Sequence, residues 1–237
     1  MTVSHIVESG ARQLGIALPP GAGVLFETYH ALLEKTNEKV NLTSIKGAED
    51  VACLHFLDSL ALLNAADFTK TRVIDVGSGA GFPGVPLKLA ESSIELTLLD
   101  ATAKRVAFLS ELCAAIGIEA ACIHGRAEES AHTPDMREGF DVAVSRAVAR
   151  LDVLCELCLP YVRVGGLFLA MKGFDSAEEL EEAQGAMQTL GAEFAEALDY
   201  AIPDTEIRHR VIVIRKTAPT PAIYPRRFSK IQKSPIK

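Results

Sequence analysis

The sequence predicts an α/β protein in which a Rossmann-like, mainly parallel sheet follows an N-terminal helical extension. Three observations support this fold class. A short β-branched strand at residues 73–76 runs directly into a glycine-rich loop. Apolar strands after it alternate with helix-length segments, which is typical of right-handed βαβ units. Before residue 69, apolar side chains instead recur at the three-to-four spacing of helices.

The helical extension is expected to cover residues 1–68. Apolar side chains follow helical spacing at residues 24–33 and again at residues 51–63. A Pro-Pro-Gly sequence at residues 19–21 separates a first helix from a second, because proline and glycine interrupt helices. The polar segment at residues 37–45 is expected to separate the two longer helices.

The Rossmann-like domain is expected to cover residues 69–216. Its predicted strands are residues 73–76, 95–99, 120–123, 141–144, 166–171, 200–202 and 210–214. Its predicted helices are residues 85–92, 102–116, 151–162 and 177–190. The last two strands are expected to pair with each other and close the sheet.

The composition indicates a globular chain with reduced cysteines. Of the 237 residues, 49% are hydrophobic and 23% are charged, which excludes a disordered or collagen-like chain. No uncharged apolar run reaches the length of about 18 residues that a membrane helix needs. The five cysteines are odd in number and scattered, and no signal-peptide pattern is visible, so we expect a cytoplasmic protein.

Positive charge is concentrated at one end of the chain. Residues 207–237 contain nine Lys or Arg and no carboxylate, whereas the remaining 206 residues carry a net charge of −16. A basic segment on an acidic body predicts contact with a polyanion, with a solvated tail as the alternative. Residues 217–237 form this basic tail, and we expect phosphates to be contacted by Arg226, Arg227, Lys230 and Lys233.

The glycine-rich loop at residues 77–84 predicts a nucleotide-type ligand. Glycine lets the backbone turn sharply and approach a ligand, and the Gly-x-Gly-x-x-Gly sequence that begins at Gly79 matches the dinucleotide fingerprint. However, the glycines already begin at Gly77, and Asp75 stands two residues before it. A carboxylate there disfavours a pyrophosphate and suits the ammonium and sulfonium of a cationic ligand.

Two later elements agree with this interpretation. Asp100 follows the second predicted strand, where a carboxylate can accept hydrogen bonds from both ribose hydroxyls. Together, the loop and Asp100 resemble motifs I and II of the class I S-adenosylmethionine-dependent methyltransferases, and the resemblance implies S-adenosylmethionine as the cofactor. In such a fold, the resemblance implies that Ala127 and Glu128, which follow the third predicted strand, border the adenine pocket.

The end of the fourth strand bears on the methyl acceptor. Its Ser145-Arg146-Ala147 sequence has neither the Pro-Pro-aromatic motif of exocyclic-amine methyltransferases nor the Pro-Cys of pyrimidine C5 methyltransferases. An acceptor that is already nucleophilic is favoured, such as guanine N7, which has no proton to remove. We therefore expect catalysis to come from the proximity and alignment of the reactants, with no catalytic side chain and no metal. Arg146 is expected to bind the cofactor carboxylate, a phosphate or a guanine edge, with a structural ion pair as the alternative.

Several segments together resemble one family. They are Asn41-Leu-Thr-Ser-Ile45, His55-Phe-Leu-Asp-Ser-Leu60, the loop from Asp75 to Gly84, the segment from Leu99 to Leu109, Ser145-Arg146-Ala147, Met171-Lys172-Gly173 and Tyr224-Pro-Arg226-Arg227. On these motifs, residues 22–237 are similar to the glucose-inhibited division protein B family of bacterial small-subunit ribosomal RNA methyltransferases. The resemblance implies a seven-stranded class I fold and methylation of guanine N7 in the 530 loop of 16S rRNA.

The resemblance also implies site residues and partners. The family's cofactor positions fall on Gly77, Phe82, Ala127, Glu128 and Arg146. The acidic ribose-binding position falls on Asp100, and Gly79 joins the set as part of the loop. The implied partner is 16S rRNA or the small ribosomal subunit, with no membrane, and a monomer is the default. Thr36-Asn37 stands where the family commonly has Trp-Asn, which leaves the RNA-side contacts open.

Other interpretations stay open at this point. The same loop is compatible with an NAD(P)-binding oxidoreductase or sensor, and the methyltransferase motifs are compatible with a different RNA or a small molecule as acceptor. Cys155 and Cys158 have the spacing of a metal or redox pair, but their apolar helix favours buried cysteines. His55 is expected either in the core or beside a ligand.

Overall fold

The computed structural model describes residues 1–146 and 149–237, so Ala147 of the predicted Ser-Arg-Ala motif lies outside the described residues. A seven-stranded sheet forms the centre of the protein, in the order β3-β2-β1-β4-β5-β7-β6. The strands are β1 (Arg72–Val76), β2 (Glu95–Asp100), β3 (Ala120–His124), β4 (Phe140–Arg146), β5 (Val162–Gly173), β6 (Ala192–Ala201) and β7 (Arg208–Lys216). The first five are parallel, and β7 is antiparallel to both β5 and β6. The predicted fold class is confirmed.

Helices cover both faces of the sheet. They are α1 (Val3–Gln13), α2 (Ala22–Val40), α3 (residues 48–64), α4 (Gly84–Ala90), α5 (Ala103–Ile116), α6 (Ala127–Ser130), α7 (Leu151–Cys158), α8 (Ala177–Glu182), α9 (Gln184–Thr189) and α10 (Phe228–Lys233). Neighbouring β1 residues face opposite layers, so Val73 packs in one hydrophobic cluster and Ile74 in the other. Cys155 and Cys158 are fully buried in the second cluster.

The N-terminal helices join the hydrophobic layer on one face of the sheet. Val7 of α1, Phe26 of α2 and Phe56 of α3 belong to the same hydrophobic cluster as Val73 of β1. Helical spacing of apolar side chains gives each helix one buried face. Helix α1 packs against α2 and α3, and α2 packs against α4 and α5. The extension is therefore continuous with one layer of the α/β core.

Helix α3 changes its hydrogen-bond pattern along its length. An α-helical turn (Ala48–Val51) leads into a π-helical segment (Ala52–Leu57), followed by an α turn (Asp58–Leu60) and a 3₁₀ turn (Ala61–Asn64). Such π-helical segments often occur at functional sites. Here the Leu54 and His55 carbonyls of this segment accept hydrogen bonds from side chains, which are described below.

The strand order determines where a ligand can bind. The chain continues from β1 outward through β2 and β3, and then returns to β4 on the other side of β1. Ligands of open α/β sheets bind beside such a reversal, outside the carboxyl ends of the strands. The glycine-rich loop after β1, Asp100 after β2 and Arg146 at the end of β4 all lie at this edge.

Several predicted boundaries differ from the structure. Strand β6 extends over ten residues, of which the sequence predicts only residues 200–202. The prediction is too short because this edge strand is mostly exposed and lacks apolar alternation. The predicted helix at 177–190 is two short helices joined at Ala183. Within the described residues, no helix is both long enough and apolar enough to cross a membrane.

Candidate functional site

The glycine-rich loop connects β1 to α4 by a tight turn. Gly77 and Ser78 donate backbone hydrogen bonds to the Leu99 carbonyl of β2, at 2.8 and 3.1 Å. Gly77 and Gly79 have φ values of 78° and 58°, in the left-handed region that glycine adopts most easily. A Cβ added at Gly79 would come near only the Gly77 carbonyl oxygen, at 3.9 Å. The space above Gly79 is therefore open to a ligand.

Asp75 supports this loop from beneath. Its carboxylate is fully buried, and Oδ2 accepts a hydrogen bond from the Gly84 backbone N–H at 2.8 Å. Its Oδ1 has no hydrogen-bond partner among the described residues. Burial raises the pKa of Asp75 to about 7, against the opposing effects of the Gly84 N–H and Arg146. The expectation that Asp75 directly complements a cationic ligand is wrong, because the side chain lies below the loop and outside the cleft.

Asp100 lies at the centre of the ligand cleft. Its Oδ2 accepts from the Gly79 N–H at 3.0 Å, and its Oδ1 accepts from the Thr102 N–H at 2.8 Å. Arg105 on the first turn of α5 approaches Oδ2 to 3.6 Å. Each carboxylate oxygen still has a second lone pair, so Asp100 can accept two further hydrogen bonds from one ligand.

The cleft contains three adjoining cavities along the carboxyl edge of the sheet. The central cavity, of about 410 Å³, is lined by Gly77, Gly79, Phe82, Asp100 and Arg146, all of them predicted site residues. The structure therefore brings these five together from three strand ends.

The inner cavity lies on the β3 side of the central cavity. Its volume is about 140 Å³, and it shares Gly77 and Asp100 with the central cavity. Ala127 and Glu128 line it, as the sequence predicts for an adenine pocket, and Phe228 from the basic tail completes its wall. Glu128 is 8% exposed.

The outer cavity lies on the other side, towards β5 and β7. Its volume is about 560 Å³, and it shares Thr43, His55 and Arg146 with the central cavity. These three residues therefore form the boundary between the two cavities. Lys172 and His209 line the far wall of the outer cavity.

Aromatic stacking supports the boundary between the central and outer cavities. The Phe82 ring stacks on His55 with their centroids 4.3 Å apart, and on Tyr29 at 5.2 Å. The Arg146 guanidinium lies over the Phe82 ring, 5.0 Å from its centroid. The Tyr29 hydroxyl donates to the Ala80 carbonyl at 2.6 Å and so ties the helical extension to the glycine-rich loop.

Arg146 is held by the π-helical segment of α3. Its Nη1 donates to the Leu54 carbonyl at 3.0 Å and to Asp58 Oδ2 at 2.9 Å, and its Nη2 donates to His55 Nδ1 at 2.7 Å. The His55 carbonyl, which accepts from the Asp58 backbone N–H, also accepts from the Ser59 hydroxyl at 2.6 Å. The ion-pair alternative is thus observed for Arg146, although its side chain also lines both cavities.

Asp58 connects Arg146 to the C-terminal strands. Its Oδ1 accepts from the Tyr200 hydroxyl at 2.6 Å and from His209 Nδ1 at 2.8 Å. Burial would raise the pKa of Asp58, but the hydrogen bond from His209 and the charge of Arg146 outweigh it and hold the pKa below its ordinary value. The hydrogen bond to Asp58 in turn raises the pKa of His209.

The basic tail returns to the cleft through a buried anchor. Arg226 donates from its backbone N–H and from Nε to Glu156 Oε1, both at 2.8 Å, and from Nη2 to Oε2 at 2.6 Å. Glu156 is fully buried on α7. The Arg226 guanidinium is thus engaged within the protein, whereas Arg227, Lys230 and Lys233 are exposed.

Sequence reasoning missed part of this site. Thr43, Asp58 and His209 were not singled out, and Phe228 was not placed at a cavity. The signal available for two of them was the family resemblance, because Thr43 and Asp58 both lie inside its quoted motifs. His209 and Phe228 have no comparable local pattern.

Comparisons with known proteins agree with this architecture. A model of the family described as rRNA small subunit methyltransferase G matches residues 24–207. Ribosomal RNA small subunit methyltransferase G of Alkaliphilus oremlandii is 44% identical over 239 residues, covering 100% of both chains. The protein of the same name from Clostridium botulinum (strain Alaska E43) is 41% identical and covers 96% of both chains.

A solved structure supports the fold alone. A chain in the complex between the Haloferax volcanii Trm112 methyltransferase activator and a methyltransferase superposes with a TM-score of 0.56 at 15% identity. The match covers 80% of this chain and 98% of that chain.

Proposed function

Because the chain belongs to the rRNA small subunit methyltransferase G family, and is therefore an S-adenosylmethionine-dependent methyltransferase of ribosomal RNA, we propose that its cleft is the site of guanine N7 methylation in 16S rRNA. The guanine is one in the 530 loop. The observation that carries the proposal is the row of three adjoining cavities, which offers separate spaces for an adenosine, a sulfonium and an acceptor base.

The residues present fit S-adenosylmethionine. The two unused lone pairs of Asp100 can accept from the ribose hydroxyls, and the open space above Gly79 allows the ligand to approach the backbone. Ala127 and Glu128 would border the adenine in the inner cavity. Phe82 and Arg146 would then border the methionine part, in the central cavity next to the boundary. When bound, S-adenosylmethionine supplies a methyl group on a positively charged sulfur.

The chemistry requires alignment more than proton transfer. Guanine N7 has an exposed lone pair and no proton, so attack on the methyl group needs no general base. The surroundings of His55 agree with this, because its Nδ1 lone pair already accepts from Arg146. Burial, together with the charge of Arg146, lowers the pKa of His55 to about 3. What the protein supplies is a fixed boundary of Thr43, His55 and Arg146, against which a planar base in the outer cavity can align.

The RNA side of the proposal rests on the outer cavity and the basic tail. Lys172 lines the outer cavity, and its Nζ donates a hydrogen bond to the Ala149 carbonyl and pairs with the Glu179 carboxylate. Arg227, Lys230 and Lys233 lie on the tail whose Phe228 forms part of the inner cavity wall. We propose that these three exposed cations contact RNA phosphates beside the cleft.

Methyl transfer to intact small subunits tests this function. Subunits lacking the modification are incubated with the protein and labelled S-adenosylmethionine, and the modified base is mapped by chain cleavage specific to N7-methylguanosine. We expect label at one guanine of the 530 loop. Label on another base or on a small molecule would contradict the proposed acceptor. Binding of NAD without binding of S-adenosylhomocysteine would favour the oxidoreductase interpretation instead.

A further inference from the structure

The hydrogen bonds of His55 determine which of its ring nitrogens carries the proton. A guanidinium only donates, so the 2.7 Å contact from Arg146 Nη2 makes Nδ1 an acceptor. The ring proton of a neutral histidine must then be on Nε2. The partner of Nε2 is the Thr43 hydroxyl oxygen, at 2.8 Å. Thr43 Oγ1 is therefore the acceptor in this contact.

The Thr43 hydroxyl has a second donor. The Ile45 backbone N–H donates to the same oxygen at 3.1 Å. A hydroxyl has two acceptor lone pairs and one proton, so both lone pairs are now used. No acceptor for its proton is present among the described residues within hydrogen-bond distance. The hydroxyl can therefore act only as a donor towards a ligand.

The backbone around Thr43 is fixed from helix α2. The Asn37 side chain accepts from the Leu42 and Thr43 N–H groups at 2.6 and 2.9 Å, and donates to the Thr43 carbonyl at 2.8 Å. Held in this way, Thr43 borders both the central and the outer cavity. Its hydroxyl lies on the side of His55, which lines the same two cavities.

The position and polarity of this hydroxyl suit one edge of a purine. Guanine presents N7 and O6 side by side as acceptors, whereas adenine presents N7 beside an N6 amino donor. A group that only donates can pair with O6 and leave N7 free to attack. Facing adenine, the same group would meet another donor and could not accept from it.

We propose that the Thr43 hydroxyl donates a hydrogen bond to O6 of the target guanine, and that this contact selects guanine over adenine. The inference deepens the proposed function and rests on it. Asn37 and His55 act as positioning residues, because one holds the Thr43 backbone and the other occupies a lone pair of its hydroxyl.

The test compares two bases at the target position. Small subunits are assembled with 16S rRNA that carries either guanine or 2-aminopurine there, since 2-aminopurine keeps N7 and lacks O6. For the wild-type protein, we expect kcat/KM to fall roughly 10-fold on 2-aminopurine, as for a lost hydrogen bond. Thr43→Val should lose a similar factor on guanine and show nearly equal rates on the two bases. Thr43→Ser should restore the preference.

Two controls keep the outcomes distinct. Thr28→Val removes a hydroxyl that bonds within α2, to the Val24 carbonyl, and should leave the base preference unchanged. S-adenosylhomocysteine affinity should be the same for wild type and Thr43→Val.

Equal rates on both bases with the wild type, or an undiminished preference in Thr43→Val, would overturn the inference. Loss of S-adenosylhomocysteine binding in Thr43→Val would also overturn it, by assigning Thr43 to the cofactor. Failure of the wild type to methylate guanine at all would instead contradict the proposed function.

Discussion

At the scale of single residues, two buried carboxylates that bond to the glycine-rich loop have different surroundings. Asp100 accepts from two backbone N–H groups and lies near Arg105, at the surface of the central cavity. Asp75 lies below the loop, accepts one backbone N–H and has an unpartnered oxygen among the described residues. One carboxylate is therefore placed for a ligand, and the other supports the loop.

Replacing Asp100 should weaken cofactor binding. Asp100→Ala removes the acceptor proposed for the ribose hydroxyls, and hydrogen bonds to charged groups contribute roughly 1.5–3 kcal/mol. We expect calorimetry to show a loss of S-adenosylmethionine affinity of roughly 10- to 100-fold. Glu95→Ala, at the exposed opposite end of β2, is the matched control and should bind normally. Unchanged affinity in Asp100→Ala would exclude this residue from the site.

Asp75 should make stability depend on pH. Its folded-state pKa of about 7 lies above the ordinary value of 3.8, so the native state binds this proton more tightly than the unfolded state does. Stability therefore falls as pH rises from about 4 to about 7, and is level above that. Asp75→Asn removes this contribution to the pH dependence of the free energy of unfolding, and it keeps a side-chain oxygen that can accept from the Gly84 N–H.

Urea unfolding at pH 5 and pH 8 measures this effect. The free energy of unfolding of Asp75→Asn minus that of the wild type should be larger at pH 8 than at pH 5, by about 2–3 kcal/mol. An equal difference between the two proteins at both pH values would mean that Asp75 stays ionised in the folded protein throughout this range.

Several residues of the central cavity could be predicted to lie together, whereas the contacts at its boundary with the outer cavity could not. Gly77, Gly79 and Asp100 belong to one contiguous strand–loop–helix–strand unit, where spacing alone gives proximity. The pairing of Asp58 with His209 joins positions 151 residues apart. No local pattern encodes such a contact, because it depends on how α3 and β7 pack in three dimensions.

At the scale of elements, the glycines of the loop fall into two kinds. A Cβ at Gly84 would meet Asp75 Oδ2 and Leu98 Cδ2, both at 2.9 Å, whereas a Cβ at Gly79 would point into open space. Gly84 is required for packing of α4 on the sheet, whereas the space beside Gly79 is open.

Alanine at these two positions should therefore have different effects. Gly84→Ala should lower the free energy of unfolding by roughly 1–3 kcal/mol through overpacking. Gly79→Ala pays a left-handed backbone cost of roughly 1–2 kcal/mol, and in addition should weaken S-adenosylmethionine binding in calorimetry. If Gly79→Ala binds the cofactor as wild type does, the loop is only a packing turn.

The tail combines an anchor with an exposed basic surface. Arg226→Ala leaves Glu156 buried without its partner, and loss of one member of such a pair costs about 3–5 kcal/mol of stability. Replacing Arg227, Lys230 and Lys233 together by Ala should instead leave stability unchanged and weaken binding to small subunits. The slope of log affinity against log salt should become shallower by about two units.

Binding measured over a range of salt concentrations, with unfolding of both variants, checks this division. S-adenosylmethionine affinity of the triple variant serves as its control. An unaltered salt slope in the triple variant would make the tail a solvated appendage.

Element boundaries could be predicted where burial leaves a pattern. Strands β1 to β4 lie in the sheet interior or carry apolar runs, and their predicted positions agree with the structure within about two residues. Edge strand β6 has mostly exposed side chains, and the π-helical segment of α3 has the same apolar spacing as an ordinary helix. Neither feature leaves a trace that sequence periodicity can detect.

At the scale of the whole molecule, the cleft depends on both ends of the chain. Tyr29 of α2 donates a hydrogen bond to the glycine-rich loop, and Arg146 donates to Asp58 of α3. Asp58 also accepts from Tyr200 of β6 and His209 of β7. The helical extension thus forms part of the site as well as part of the core. The segment predicted as residues 1–68 therefore contributes Tyr29 and Asp58 to the contacts around the cleft.

The partners of Asp58 also set an order of events during biosynthesis. Tyr200 and His209 lie 142 and 151 residues after Asp58 in the chain. At a translation rate of about 5–20 residues per second, the ribosome makes them roughly 7–30 s after Asp58. Until then, α3 can fold only with its buried carboxylate incompletely bonded, and the boundary between the central and outer cavities lacks its support. A nascent chain therefore completes the hydrogen bonds of Asp58 only after the glycine-rich loop has been synthesised, and Phe228 of the inner cavity follows later still.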